Sequence, residues 1–125
     1  MDIDTMPAGR EMDSLIAEKI FGWKNLAWKE AKRYADKLGD WYSPRGWYGN
    51  GPNGESYFTK HYSTDMGDAW EVVEKLCQMC SDFSLTEGYN AAFLADDWVV
   101  STAETMPLAI CRTALKAIMG GGNGI

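Results

Sequence analysis

The chain has 125 residues, of which 46% are apolar, and a formal net charge of −6. This length and composition predict one ordinary domain that buries a core of its own. The acidic balance argues against duplex nucleic acid as a partner, because phosphate contacts require clustered lysine and arginine. The longest apolar runs fall well short of the ~20 residues that a membrane helix requires, so no bilayer span is expected.

The charges are unevenly distributed. Residues 24–37 carry five basic side chains against two acids, whereas residues 61–104 carry nine acids and one lysine. We interpret most of these charges as solvated helix faces. An alternative is self-association, in which the basic stretch of one copy meets the acidic stretch of another and steers assembly.

The first half of the chain shows two patterns typical of helices. Apolar residues at helical spacing predict a first helix after Pro7, ended by Gly22. Its buried stripe is Met12, Leu15, Ile16, Lys19 and Ile20. The same spacing predicts a second, more exposed helix over residues 28–38, ended by Gly39 as a C′ residue.

Residues 39–62 read GDWYSPRGWYGNGPNGESYFTKHY and combine backbone breakers with seven aromatic side chains. Glycine, proline and asparagine argue against a long helix or a central strand, so a long loop is predicted here. The run GNGPNG, residues 49–54, is interpreted as a flexible turn because no Lys-Ser or Lys-Thr follows it, as a phosphate loop would require.

The second half of the chain predicts a helix, three strands and a helix. The helix begins after Ser63 or Thr64 as N-cap, and its predicted buried stripe is Met66, Ala69, Trp70, Val73, Leu76, Cys77 and Cys80. Apolar residues then alternate over residues 82–86, 90–95 and 98–102, which indicates an antiparallel meander. The last helix has Thr105 as N-cap and a stripe of Leu108, Cys111, Ala114, Leu115 and Ile118.

The predicted fold class is therefore α+β, in the order α-α-loop-α-β-β-β-α, with helices covering a three-stranded antiparallel meander. Residues 1–119 are expected to form a single domain, and residues 120–125, GGGNGI, a disordered tail.

Two segments resemble the phage ABA sandwich family. They are YSTDMGDAWEVVEKL, residues 62–76, and AETMPLAICRTALKAI, residues 103–118, and the FGW at residues 21–23 also fits the opening of the family. The resemblance implies an α-β-α sandwich-like layering encoded in a phage or prophage, and no assigned reaction or catalytic residues. The chain departs from the family pattern between Leu26 and Tyr62, where a member of the family usually has a shorter and less aromatic connection.

Sites for chemistry have simpler explanations. The four residues Cys77, Cys80, Cys111 and His61 give the ligand count of a zinc site. Because the cysteines lie on apolar helix faces, we interpret them as buried hydrophobes and expect no metal, cofactor or disulfide. The carboxylate pairs Asp65 with Asp68 and Asp96 with Asp97 are explained by helix capping and a turn, although a metal-dependent hydrolase using them is an alternative.

The candidate ligand-binding residues lie in the aromatic segment. They are Trp41, Tyr42, Arg45, Trp47, Tyr48, Lys60 and His61. Tyrosine, tryptophan, glycine and asparagine in one segment are typical of binding loops, and arginine is available for an anion. For Tyr57, Phe58 and Tyr62 we favour packing against the sheet. Trp70 lies on a predicted buried stripe and is interpreted as core. Trp28 lies on the predicted second helix and is not among the candidate binding residues.

The resulting hypothesis is a phage-encoded binding protein without enzymatic activity. It would capture a nucleotide-type immune signal or a host defence protein, with a homo-oligomer closing the pocket. An odd number of cysteines and the lack of a charged-then-apolar leader predict the reducing cytoplasm of the infected bacterium as its location. A structural or assembly protein of the virion, or another module that binds a protein partner, is the main alternative.

Overall fold

The computed structural model describes residues 3–79, 82–86, 88–94 and 98–119. Its contacts divide the chain into two compact units, residues 1–21 with 60–125, which we call the core unit, and residues 22–59, which we call the insert. That residues 1–119 form a single domain stays a prediction. The described parts contain α-helices and three small antiparallel sheets, so the α+β class is confirmed.

The core unit holds all three α-helices of the described residues. These are α1 (Arg10–Lys19), α2 (Met66–Cys77) and α3 (Met106–Ile118), preceded by a short 3-10 helix at Ile3–Thr5. Its sheet consists of three antiparallel strands, which are numbered along the chain as β6 (Asp82–Thr86), β7 (Asn90–Leu94) and β8 (Trp98–Thr102) and lie side by side in that order. The predicted meander and the Thr105 cap of α3, whose hydroxyl accepts from the Leu108 amide, are confirmed.

The insert holds the other five strands. They are β1 (Lys24–Lys29), β2 (Lys32–Asp36), β3 (Gly39–Ser43), β4 (Gly46–Asn50) and β5 (Tyr57–Phe58). Strands β1, β4 and β5 form one sheet in the order β1-β4-β5, and β2 with β3 forms a separate two-stranded hairpin.

The helix predicted over residues 28–38 is therefore wrong, because β1 and β2 occupy this stretch. Trp28 pairs with Trp47, and this long-range pairing overrides the helix propensity of the charged residues between the strands. The predicted loop over residues 39–62 likewise contains three strands. Some of its breakers lie between the strands, with Pro44 separating β3 from β4 and Gly51 to Gly54 separating β4 from β5, whereas Gly46 and Gly49 lie within β4.

Two details of the predicted helices are corrected. The N-cap of α2 is Asp65, whose carboxylate accepts from the Asp68 amide, and not Ser63 or Thr64. The buried stripe of α2 is Ala69, Val72, Val73 and Leu76. This stripe turns the side chains of Met66, Trp70 and Cys77 outward, and Trp70 is 42% exposed instead of lying in the core. Ile118 at the end of α3 is also partly exposed, whereas Leu115 is fully buried as predicted.

Several predictions fall outside the described residues. They concern Cys80, the turn pair Asp96 and Asp97, and the tail at residues 120–125. Within the described ranges, none of the helices combines the length and the apolar character that crossing a bilayer demands.

A buried carboxylate joins α1 to the start of α2. Asp13 is 4% exposed, and its Oδ1 accepts from both the amide and the hydroxyl of Ser63 at 2.7 Å. Burial raises the pKa of Asp13, although the two bonds from Ser63 act in the opposite direction. The hydroxyl that the sequence suggested as a helix cap thus serves as a buried partner of this carboxylate.

We expect the stability of the protein relative to an Asp13→Asn variant to fall as the pH rises. The native pKa lies above the ordinary 3.8, so the folded state holds the proton more tightly than the unfolded chain. The stabilising contribution of Asp13 is complete below the unfolded pKa of 3.8 and is lost as the pH rises through the raised native pKa. Urea unfolding of both proteins from acid to neutral pH measures the difference. A difference that does not change with pH would show that Asp13 titrates normally.

Candidate ligand-binding surface

The hairpin of β2 and β3 carries the most exposed aromatic side chains of the insert. A two-residue turn, Lys37 and Leu38, joins the strands, and the pairing register sets Tyr42 opposite Arg33 and Trp41 opposite Tyr34. Neighbouring residues of a strand point to opposite faces, so Trp41 and Tyr42 lie on different faces of the hairpin. Trp41 is 45% exposed and Tyr42 70% exposed.

The face that carries Tyr42 also carries an ion pair. Arg33 lies directly across from Tyr42, and its guanidinium donates to the Asp40 carboxylate at 2.8 Å. Directly opposed side chains in an antiparallel pair lie about 5 Å apart at Cβ. An exposed ring therefore stands beside a cation whose position is fixed by a carboxylate, although both charged side chains remain more than half exposed.

The face that carries Trp41 has a basic side chain as a diagonal neighbour. Trp41 is paired with Tyr34 and Ser43 with Lys32. Lys32 is therefore a diagonal neighbour of Trp41 on the same face of the hairpin. Diagonal neighbours are about 7 to 8 Å apart, which is within the reach of an indole and a long lysine side chain. Each face of the hairpin thus presents an exposed ring with a basic neighbour and an acidic one, Asp40 on the face of Tyr42 and Asp36 as the other diagonal neighbour of Trp41.

The predicted site residues of β4 are held more firmly. Trp47 packs edge-on against Trp28 with ring centroids 5.6 Å apart, and Tyr48 packs against Tyr57 at 4.9 Å. The Tyr48 hydroxyl donates to the Pro44 carbonyl at 2.6 Å and lies 2.8 Å from the Ser43 hydroxyl. Both rings are only partly exposed, so they contribute to the packing of the insert as well as to its surface.

Arg45 lies in the turn between β3 and β4 and is exposed. Its carbonyl accepts from the Tyr57 hydroxyl at 3.2 Å, which fixes the backbone of this turn. The turn joins the hairpin to the three-stranded sheet of the insert. Arg45 is therefore, after Arg33 and Lys32, a third cation close in sequence to Trp41 and Tyr42.

Lys60 and His61 belong to the core unit, whereas the other candidate residues belong to the insert. The Lys60 ammonium lies 2.7 Å from Glu71 and 3.8 Å from Asp68, and the hydrogen bond to Glu71 raises the pKa of Lys60. His61 is exposed, and its amide donates to Asp68. The contacts of these two residues all support the start of α2.

From the sequence, Arg33 and Lys32 were counted among the five basic residues of the stretch 24–37, and Leu38 was given no binding role. The helical interpretation of residues 28–38 hid the relation of both basic residues to the aromatic rings. The signal that could have revealed it is a two-residue turn flanked by two five-residue stretches, which is the spacing of a tight hairpin.

A comparison with protein-family models matches residues 14–115 to the phage ABA sandwich domain. The chain belongs to the phage ABA sandwich family. Comparison with curated proteins and with solved structures found no significant match.

The match to the phage ABA sandwich domain includes the whole insert together with α2, the sheet of the core unit and most of α3. The predicted resemblance is thereby confirmed. Membership in the phage ABA sandwich family assigns no reaction, so the function has to be argued from the surface of this chain.

Among the described residues of this phage ABA sandwich protein, no group of histidine, cysteine and acidic side chains has the geometry of a metal site. Asp65 and Asp68 are engaged in capping α2 and in bonding the His61 amide. Of the cysteines in this part of the chain, Cys111 is buried and Cys77 is exposed, which corrects the interpretation of Cys77 as a buried hydrophobe. Burial raises the pKa of the Cys111 thiol well above its ordinary value.

Proposed function

We propose that the protein acts by binding and not by turnover, and that the β2–β3 hairpin recognises a nucleotide-type small molecule. One observation supports this proposal. Each face of the hairpin combines an exposed aromatic ring with a basic side chain on the neighbouring strand, Tyr42 with Arg33 and Trp41 with Lys32.

This combination suits a base linked to a phosphate. A base stacked on an aromatic side chain contributes about 1 to 3 kcal/mol, and a cation a few ångströms away can bind the phosphate. Arg33 is already oriented by Asp40 at 2.8 Å, so it is prepared for a planar, two-point contact. Arg45, exposed in the next turn, supplies a further positive charge. The partly exposed rings of Trp47 and Tyr48 would extend the surface.

The biological role that we propose is to withhold such a molecule from a bacterial defence system during infection. Membership in a phage family supports this role, since a phage protein that binds a host signal acts without a reaction of its own. The protein would then work in the cytoplasm of the infected host. A homo-oligomer would place the hairpins of several copies around one ligand and increase the buried area.

Replacing Trp41 with alanine is expected to weaken binding by at least about 5-fold, because a lost base stack corresponds to about 1 to 3 kcal/mol. Isothermal titration with a panel of cyclic dinucleotides and cyclic ADP-ribose isomers measures the effect. Trp70→Ala is the matched control, because Trp70 is 42% exposed but lies on α2 in the core unit. It should leave the affinity within about twofold.

Two results would overturn the proposal. Folded wild-type protein that releases no heat with any member of the panel binds no ligand of this class. Equal losses in the two tryptophan variants would place recognition outside the hairpin. Recovery of intact ligand after denaturation of the complex distinguishes binding from hydrolysis, because a hydrolase would return a cleaved product.

A protein partner is the second candidate, and the tip of the hairpin favours it. Leu38 is 92% exposed, so nearly the whole apolar side chain is available to a partner. A host protein could cover Leu38 together with Trp41. Affinity capture from infected cells with wild-type protein and a Leu38→Ser variant tests this candidate, which predicts a protein that is lost in the variant alone.

A further inference from the structure

The sheet of the core unit has one covered face and one exposed face. The register places side chains of β6, β7 and β8 in rows across the sheet. The face that we call the outer face consists of Asp82, Leu94, Trp98, Ser84, Ala92, Val100, Thr86, Asn90 and Thr102. On the opposite face Ala91, Phe93 and Val99 are buried.

The outer face has the composition of an interface in the part formed by Leu94, Trp98, Ala92 and Val100. Trp98 is 45% exposed and Val100 is 50% exposed, whereas the neighbouring Ala92 and Leu94 are partly covered. Alternating strands normally turn polar side chains toward water, so adjacent Val, Ala, Leu and Trp side chains on the solvent face require another explanation. A second surface that packs on them would provide it.

Charge indicates what that surface is. The chain carries a net charge of −6, yet the outer face contains one charged residue, Asp82, at its corner. Two copies of an acidic protein repel each other least where neither presents charge. The remaining residues of this face are apolar or neutral, so it can meet a second copy of itself.

Of the two edges of the sheet, the one formed by β8 is less suited to association than the outer face. The Lys116 ammonium donates to the Val100 carbonyl at 2.9 Å, and the Arg112 guanidinium donates to the Thr102 carbonyl at 3.1 Å. Alternate backbone carbonyls of β8 point away from β7, and these two are already bonded. Extension of the sheet by a strand from another copy would have to break both bonds.

We propose that the outer face is a twofold interface between two copies of this chain. A twofold axis across the strands, at the level of Phe93 and Val99, sets each strand over its own counterpart. Trp98 then lies opposite Val100 and Leu94 opposite Ala92, while Asp82 lies opposite Ser84 at the rim. The two sheets pack with their strands within about 30° of each other, as in a sandwich.

The area of the outer face sets the expected strength. Three strands of five residues cover roughly 14 by 17 Å, which is well below the ~800 Å² per partner of a standard interface. We therefore expect reversible association with a dissociation constant of the order of 10 to 100 μM.

Sedimentation velocity over about 5 to 500 μM protein, which spans this range, tests the proposal. The wild type should shift from monomer to dimer, and Val100→Glu should weaken association at least about 10-fold by placing a charge in the centre of the face. Leu38→Glu is the matched control, because it makes the same change in net charge at the exposed hairpin tip. It should dimerise like the wild type. Circular dichroism confirms that both variants are folded.

The proposal is overturned if the wild type stays monomeric throughout this range, or if both glutamate variants dissociate alike. Salt provides a second criterion. The insert carries six basic and four acidic residues, while the rest of the chain carries six basic and fourteen acidic residues. Association of insert with core unit would weaken as salt is added, whereas apolar faces associate equally well or better. Ligand titration of Val100→Glu distinguishes the proposed interface from the proposed ligand binding. The hairpin is unchanged in this variant, so loss of association and loss of ligand recognition are measured separately.

Discussion

Replacing Phe93 with alanine is expected to lower the free energy of unfolding by about 3 to 5 kcal/mol. Phe93 is completely buried at the centre of β7, where it pairs with Phe83 and Val99 on the adjacent strands. Its ring lies 6.3 Å from that of Phe83, so the substitution removes an aromatic contact and leaves a cavity under the helices. Urea unfolding followed by tryptophan fluorescence measures the loss.

Val100→Ala is the control for Phe93→Ala. Val100 lies on the next strand but on the outer face, where it is 50% exposed, so its truncation should cost less than about 1 kcal/mol. Measurements at low protein concentration exclude any contribution from association. Comparable losses in the two variants would mean that the sheet does not bury the face that carries Phe93.

Replacing Arg112 with methionine should cost about 2 to 4 kcal/mol of stability, because hydrogen bonds from a charged group are among the stronger ones. Arg112 is 7% exposed. Its Nε and Nη2 donate to the Met6 carbonyl at 3.2 and 2.9 Å, and its Nη1 donates to the Thr102 carbonyl at 3.1 Å. One guanidinium thus binds the segment before α1 to the end of β8, and methionine would fill the space without donating.

Arg112→Lys should recover only part of this loss, since an ammonium lacks the planar fork that reaches two carbonyls. Arg10→Ala serves as the surface control. The Arg10 side chain is 52% exposed and 3.6 Å from Glu11, and such substitutions change stability by about 0.5 kcal/mol or less. Chemical denaturation at neutral pH compares the three variants with the wild type. An Arg112→Met protein as stable as Arg10→Ala would show that the buried guanidinium is energetically neutral.

The core unit was largely predictable from sequence because its signals are local. Alternation over residues 82–102 predicted β6 to β8, and the hydroxyl of Thr105 marked the start of α3. The orientation of α2 was harder to predict. Met66, Trp70 and Cys77 are spaced like a buried stripe, and only packing shows that Val72 takes their place.

The insert could not be predicted because its strands pair over long separations. Trp28 meets Trp47 across β1 and β4, and helical spacing in the intervening residues gives no sign of this partner. The aromatic residues at positions 41 and 42 were recognised as candidates by composition alone. Their basic neighbours depend on the register of the hairpin, which the wrong helix concealed.

The ends of the insert leave the core unit close together. Phe21 directly precedes the insert and Tyr62 lies three residues after its end, and their rings stack at 4.9 Å with an angle of 9° between the planes. A stack of this kind closes the chain on itself at a fixed point, so the residues between the two rings can lengthen, shorten or change without altering α1 or α2. Phages that meet diverse hosts could thus renew the insert of such a protein by exchanging one cassette, while the core unit that carries it stays the same.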